Sequence, residues 1–478
     1  MNNIGSRKYY LKALLLWPIK IPLSYILSFF YNSEFIEQSK LSSYNKSRIP
    51  GPKKTFCHAP EKNIYFSNTG RVSACCYNQD YPLGYYGEDN LEELLNSSNK
   101  KLLVKNLKNN NLSTGCEYCQ NLIDSESYKA MGSHRYDMIP LDKNYPTMME
   151  FELSNMCNLA CIMCSPLYSS KLEQEENSGK ERKTIYGKNF LKELEEFIPH
   201  LHKARFFGGE PFLIDIYYEI WEMIIKLNPK CEIAVQTNAS ILNEKIKQLL
   251  NKGNFRLNIS IDSLKKDNYE FIRKGANFKQ IMNNVNYYKE YSKLKRNPLF
   301  FSICPMRQNW MDIPELVNYC NENNIFINFS TVNNPYECSI INMHHKEINE
   351  IVELYSNQKL NSSNFAQREN RKHFIGLINQ IREWYKLACD IEISQKTYPI
   401  EDIKEILKSK FKDLNNKEVI EKFENIFAKF PSQIELSDYH LNKIKKLKNS
   451  QFEKALSEKS EDFLKIKLNN LLNLNRIK

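Results

Sequence analysis

Glycine is scarce in this chain, 14 in 478 residues, and tryptophan scarcer, with 4. Two adjacent glycines, as at Gly208-Gly209, therefore mark a local demand for a tight turn or a close backbone approach to a ligand. An uninterrupted apolar run is also missing. Residues 13 to 31 are the most apolar stretch, but Pro18, Lys20 and Pro22 interrupt it, which fits poorly with the roughly 20 consecutive apolar residues of a membrane span. No internal repeat or long low-complexity tract stands out, which excludes a repeat array. A hydrophobic content of 42% excludes a disordered chain, and the length leaves room for two or three domains with real cores.

Acidic residues are outnumbered, 56 Asp and Glu against 67 Lys and Arg, and the resulting charge of +11 is unevenly spread. Residues 1 to 55 carry nine Lys or Arg against Glu34 and Glu37. Combined with the apolar, aromatic stretch, this makes peripheral membrane contact through residues 1–35 one expectation. Packing of the same segment on the protein's own surface is the other. A signal peptide fits the pattern but conflicts with the cysteine sets described next. Elsewhere basic residues are interleaved with acids, so no nucleic acid is expected as a partner.

Cysteine is what the chain has in quantity, 13 in all. Eight of them, counting Cys76, fall into two sets of metal-ligand character, which calls for a reducing compartment and a cytoplasmic location rather than a disulfide framework. The first set is Cys157-Asn158-Leu159-Ala160-Cys161-Ile162-Met163-Cys164. Its spacing brings three thiolates to one small inorganic cluster and supplies no fourth. A four-iron cubane normally takes four cysteines, so one iron is left for chemistry. Structural zinc would want a further Cys or His close by, and none is near in sequence.

Around this motif the chain reads as repeated βα units. Residues 148–153 alternate as a strand ending at the cysteine loop. Ala204-Arg205-Phe206-Phe207 runs into Gly208-Gly209-Glu210-Pro211, with Pro211 suited to a first helical turn. Strands follow at 233–236, 257–261, 301–304 and 325–329, with polar residues at the same end of each, and Asp312 reads as a helix start. Six such repeats make an α/β fold, a partial (βα)6 barrel over residues 141–335. The three-cysteine run and its setting resemble the radical SAM superfamily. The resemblance implies a [4Fe-4S] cluster whose open iron binds S-adenosylmethionine (SAM), with Gly208, Gly209 and Glu210 at the SAM amino group. It also implies Ser260 and Asp262 near the ribose and Arg273 near the carboxylate, against the alternatives of a cap or a surface charge. Met163 stands where the family commonly has an aromatic residue near the adenine.

The second set lies upstream. Cys57, a β-hairpin turning at Asn68-Thr69-Gly70, Cys75, and Cys116-Glu117-Tyr118-Cys119 resemble the auxiliary-cluster module called twitch or SPASM, here a small cysteine-rich β-hairpin module over residues 51–140, ahead of the barrel instead of after it. The resemblance implies a second, auxiliary iron-sulfur cluster on Cys57, Cys75, Cys116 and Cys119. Zinc remains the rival, since a hairpin cysteine with Cys-x-x-Cys is also a zinc-ribbon pattern. Cys76, next to Cys75, is read as a small buried hydrophobe pointing to the other face of a strand. His58 is read as structural.

Residues 1–50 form a basic, apolar segment and 336–478 a helical C-terminal region. In the latter, Ile403, Ile406, Leu407, Phe411 and Leu414, and the stretch 463–472, recur at helical spacing, as helices covering an open barrel edge would. By resemblance, an external reductant such as a flavodoxin or ferredoxin feeds an electron through the cluster to SAM. The resulting deoxyadenosyl radical then takes hydrogen from substrate. A peptide or protein side chain is the expected substrate, giving oxidation, a cross-link or epimerisation, with Cys304 and Cys338 as candidate hydrogen donors or inert thiols. A sugar or aminocyclitol is the alternative. A non-catalytic metal-bound scaffold is the alternative of another class.

Overall fold

The protein is described by a computed structural model that covers residues 36–445, except 37, 49–52, 79, 125–127, 129–130, 176–184, 410–416 and 429. The N-terminal apolar stretch, Phe411, Leu414 and residues 463–472 lie outside the described residues. Among the described residues no helix is long and apolar enough to cross a membrane.

A single nine-stranded sheet organises the molecule, in the order β3-β2-β1-β4-β5-β6-β7-β8-β9. Six of its strands, running out to one edge, are β4 (Met148–Glu152), β5 (Lys203–Phe206), β6 (Glu232–Thr237), β7 (Phe255–Ser260), β8 (Phe300–Ile303) and β9 (Phe326–Phe329). They lie in sequence order and all pair in parallel, with helices in the connections, as six βα units require. One face of the sheet is apolar: Met149, Phe151, Ala204, Phe206, Ile233, Val235, Leu257, Ile259 and Phe301 join one core with the surrounding helices, around a fully buried Trp221. Alternation then sends Glu150, Glu152, Arg205, Gln236, Asn258 and Ser260 to the opposite, concave face.

The cysteine-rich hairpin extends the same sheet instead of standing apart from it. Strand β1 (Asn63–Ser67) pairs in parallel with β4, and β2 (Arg71–Ser73) and β3 (Gly84–Tyr85) continue outward in antiparallel order. The β1–β2 turn closes on Gly70, whose φ of +79° and amide bond to Ser67 O are those of a tight left-handed turn. Strand β2 ends at Ser73, so strand alternation does not separate Cys75 from Cys76. Both sit in the turn that follows.

The far edge is closed from within the C-terminal region. The long helix Phe365–Ile393 lies along β9, and its buried Asn370 accepts from Ile327 N at 2.9 Å and donates to Ile325 O at 2.8 Å. A side-chain amide thus takes over the pairing that a tenth strand would supply. The described residues of 400–445 pack mainly on one another. Ile403, Leu407, Phe423, Ile426, Phe427, Ile434 and Leu436 make a separate small core. It includes two short antiparallel strands, β10 (Lys396–Pro399) and β11 (Gln433–Leu436), in a region otherwise read as helical.

Candidate functional site

The C-terminal ends of the parallel strands carry the site. After β4 the chain enters the cysteine loop, which is pinned on two sides. Ala160 N donates to Lys274 O at 2.9 Å and Ile162 N to Ile272 O at 3.0 Å, so the loop is laced to the segment after β7. On the other side Cys157 N donates to Ser170 Oγ at 3.0 Å, and Ser169 Oγ to Leu159 O at 2.7 Å. Cys157, Cys161 and Cys164 are part-buried and unbridged. Burial pushes the Cys157 thiol up to about 11 and the Cys164 thiol up to about 12, with repulsion from Cys161 adding to both. The three sulfurs therefore feel one another across a shared space.

The Gly208-Gly209-Glu210 turn is packed against this loop, and both glycines are required by geometry. Gly208 has φ +81° and Gly209 φ +43°, and a Cβ on Gly209 would fall 2.1 Å from Met156 O. Glu210 N donates to that same carbonyl at 2.7 Å. The Glu210 side chain is fully buried and accepts from Phe212 N (3.2 Å), Thr237 Oγ1 (2.7 Å) and Asn238 N (2.7 Å). Burial raises it to about 7 against these donors. The turn leads first into a single 3-10 turn, Pro211–Leu213, and only then into the helix Asp215–Leu227, so Pro211 does not open that helix itself.

Ser260 ends β7 and accepts from Gln236 Nε2 at 2.8 Å. Asp262 is fully buried, accepts from Cys304 N at 2.8 Å, and faces Arg273 Nη2 at 2.7 Å. Arg273 is itself 6% exposed and places Nη1 3.9 Å from Cys161 Sγ. Burial opposes its charge, but Asp262 and Cys161 together hold its proton above the ordinary range. Asp312 precedes the helix Ile313–Glu322 without capping it. Its carboxylate instead collects Ser263 Oγ, Lys265 Nζ and Asn268 Nδ2 at 2.6–2.7 Å, bracing the loop after β7. Met163 packs with Ile162, Ile272, Met306, Val332, Cys304 and Cys338 behind the loop. Cys338 is buried with its thiol toward Ile162 O, whereas Cys304 is part-buried and close enough to Cys161 and Cys164 to share their field.

On the concave face a charged layer appears that sequence reasoning passed over. Glu150 is fully buried between Arg205 and Arg135 and also accepts from Asn63 Nδ2 and Tyr136 OH at 2.9 Å. Burial opposes its ionisation, yet the two guanidinium groups hold it below the usual carboxylate range. Glu152 takes a short hydrogen bond from Tyr65 OH on β1, and burial raises it to about 7. Lys203 and Arg256 both bind Glu232 lower in the barrel. The signal was present in the sequence as Glu150 and Glu152 at alternate positions of an otherwise apolar strand.

The upstream cysteines converge. Cys57, Cys75, Cys116 and Cys119 line one enclosed cavity with Phe56, Ala59, Leu103, Leu107 and Tyr136, and neither Cys76 nor His58 belongs to the lining. Burial pushes Cys57 and Cys75 up to about 12. Cys76 is part-buried rather than buried, and it feels the charges of Glu150, Arg135 and Arg205. His58 pairs with Glu61 at 3.2 Å. Among the described residues no three of these thiols, nor the three of the loop, come within 4.8 Å of one another. A single zinc at Zn–S of about 2.3 Å would hold its sulfurs about 3.8 Å apart. The donor sets, four thiols on one cavity and three on one loop, fit a closed and an open iron-sulfur cluster.

Comparison with known proteins agrees with this chemistry. The model of the radical SAM superfamily matches residues 151–320, and that of the SPASM iron-sulfur cluster-binding domain matches residues 57–120. Curated relatives include a GTP 3',8-cyclase of Clostridium acetobutylicum, 29% identical over 183 residues, 38% of this chain and 54% of that protein. Another, from Limosilactobacillus fermentum, is 25% identical over 202 residues, 40% of this chain and 56% of that protein. The chain thus spans little more than half the length of these relatives. Among solved structures, SuiB of Streptococcus suis bound to S-adenosylmethionine aligns over 56% of this chain and 61% of its own, at 15% identity and a TM-score of 0.35. Native anSMEcpe with bound AdoMet aligns over 43% and 59%, at 18% identity and a TM-score of 0.34. The two domains bring with them a [4Fe-4S] cluster, SAM and an auxiliary iron-sulfur cluster. The chain carries a radical SAM domain and, ahead of it, a SPASM iron-sulfur domain.

Proposed function

We propose that this protein is an enzyme that cleaves SAM reductively and abstracts hydrogen from a side chain of a peptide or protein. The observation that carries the reading is the loop of three coupled thiols, Cys157, Cys161 and Cys164, held against the Gly208–Glu210 turn at the mouth of a parallel barrel. When bound there, the open cluster supplies one electron to the sulfonium of SAM, which yields methionine and a 5′-deoxyadenosyl radical able to take a hydrogen atom from substrate. The three cysteines hold that cluster, and Gly208, Gly209 and Glu210 receive the SAM amino group. Ser260 and Asp262 face the ribose. Arg273, braced by Asp262, holds a positive charge beside Cys161 and toward the SAM carboxylate. The apolar cluster of Ile162, Met163, Met306 and Val332 keeps water from the loop that carries the thiols. Cys57, Cys75, Cys116 and Cys119 would hold the auxiliary cluster, which would supply an electron acceptor for an oxidised product. A flavodoxin or ferredoxin serves as reductant.

The chain as a whole is read here as 1–50, 51–140, 141–335 and 336–478, with the second and third units sharing one sheet. A peptide substrate is favoured by the auxiliary module, which is common in peptide maturases. The similarity to GTP 3',8-cyclases supports a second reading, a small-molecule substrate such as a nucleotide.

Anaerobic protein with assembled clusters, given dithionite and SAM, is expected to form 5′-deoxyadenosine, and the Cys161→Ser variant to form none. Equal yields from both, or none from either, would leave the metal-bound scaffold as the better account. Stimulation of turnover by GTP and not by candidate peptides would favour the small-molecule reading.

A further inference from the structure

Outside the barrel mouth, one group of side chains has the composition and convergence of a metal site. His344, His345 and Glu392 place one ligand atom each within 4.8 Å of the others. They come from opposite ends of a helical hairpin. His344 and His345 open the helix His345–Ser356, and Glu392 stands next to the end of Phe365–Ile393, which packs along it. The linker 357–364 closes one end of this hairpin. The histidines and Glu392 meet at the other, where no chain connection exists.

We propose that His344, His345 and Glu392 bind a divalent transition metal of borderline softness, zinc first, in a site independent of both iron-sulfur clusters. Two imidazoles and a carboxylate are the donors such ions prefer. In a tetrahedral site with bonds of about 2.0–2.1 Å the donors stand about 3.3 Å apart. His345 Nε2 and Glu392 Oε2 are already at 2.6 Å, and the two imidazole rings are 4.3 Å apart between centroids. His344 and Glu392 are exposed, so side-chain rotation closes the remaining distance without moving backbone. As helix cap, His344 accepts from Lys346 N through Nδ1 at 3.3 Å, so the ring's free lone pair sits on Nδ1 and its proton on Nε2. Binding the ion means that the exposed ring turns out of this long cap bond and gives that lone pair to the metal. Water completes the coordination, because the site lies at the surface.

Bound metal would clip together the open end of the hairpin whose second helix carries Asn370, the residue that seals the β9 edge. Its consequence is therefore mechanical: the cover of the barrel becomes harder to lift.

The test uses full-length protein with both clusters assembled, stripped of loose metal and titrated anaerobically with zinc against a chromophoric chelator, iron being counted before and after. His344→Asn is the informative variant, since asparagine keeps the helix cap and leaves the His345–Glu392 pair intact. One zinc is expected to bind wild type without loss of iron and to raise the melting temperature. His344→Asn and Glu392→Gln should each weaken that binding by about tenfold or more, since losing even an outer partner of a ligand has an effect of that size. Zinc uptake equal in wild type and both variants, no uptake at all, or uptake matched by iron release would each overturn the assignment.

Discussion

A carboxyl enclosed by protein keeps its proton to a higher pH than the same group in an unfolded chain. Glu152, beneath Tyr65 and beside the Gly208 turn, is such a group, raised by burial from 4.5 to about 7. Across that interval the folded state holds a proton that the unfolded state has released. Stability therefore falls as pH rises through the window and levels off above it, by up to about 3 kcal/mol. Glu152→Gln removes the titration while leaving Tyr65 an acceptor. The melting temperature of this variant relative to wild type is expected to rise between about pH 5 and about pH 8; a difference that stays constant contradicts the assignment. Gly209 gives a second prediction. A methyl group there meets Met156 O at 2.1 Å, so Gly209→Ala shifts the turn against the cysteine loop. Displacements of this kind cost about a hundredfold in rate, and 5′-deoxyadenosine formation should fall accordingly. Iron on the upstream cysteines should be unchanged.

At the scale of elements, the most consequential device is the closure of β9 by Asn370. Removing its amide leaves Ile327 N and Ile325 O without their partner in a buried setting. Asn370→Leu should cost about 1–3 kcal/mol for each group left unpaired, read as a lower melting temperature and faster proteolysis between the helix Phe365–Ile393 and the barrel. Unchanged stability would mean that the helix is held by its apolar face alone. The strands β4 to β9 were legible in sequence because each is a short apolar or alternating run ending in polar residues. The same reasoning missed β10, whose Lys396-Thr397-Tyr398-Pro399 is only four residues long and mostly exposed. Asp312 was read as a helix start from its neighbours alone. Its real partners, Ser263, Lys265 and Asn268, lie 44 to 49 residues earlier and leave no local trace. Likewise the parallel pairing of β1 with β4 joins segments over 80 residues apart. Nothing in either segment alone announces it.

At the scale of the molecule, the two cysteine sets belong to one continuous sheet. Between Cys76 and the barrel interior lie the paired charges of Glu150, Arg135 and Arg205, whose field Cys76 feels. Glu150 also accepts from Asn63 on β1 and Tyr136, so a substitution there disturbs the wall between the two sites. Glu150→Ala leaves Arg135 and Arg205 without their shared carboxylate in a buried layer. It should cost about 3–5 kcal/mol, measured as a fall in the melting temperature of cluster-loaded protein. A change within error would show that water replaces the carboxylate without penalty.

The central claim is that three thiols hold a cluster whose fourth iron receives SAM, while four others hold a separate and closed one. The most direct measurement is the electron paramagnetic resonance spectrum of reduced, anaerobic protein in which Cys116 and Cys119 are both replaced by alanine, recorded with and without SAM. With the auxiliary site removed, the account predicts about four irons per chain and a signal that changes on adding SAM, with both lost when Cys157, Cys161 and Cys164 are also replaced. Zinc in place of iron on those three residues, or a signal indifferent to SAM, would contradict it.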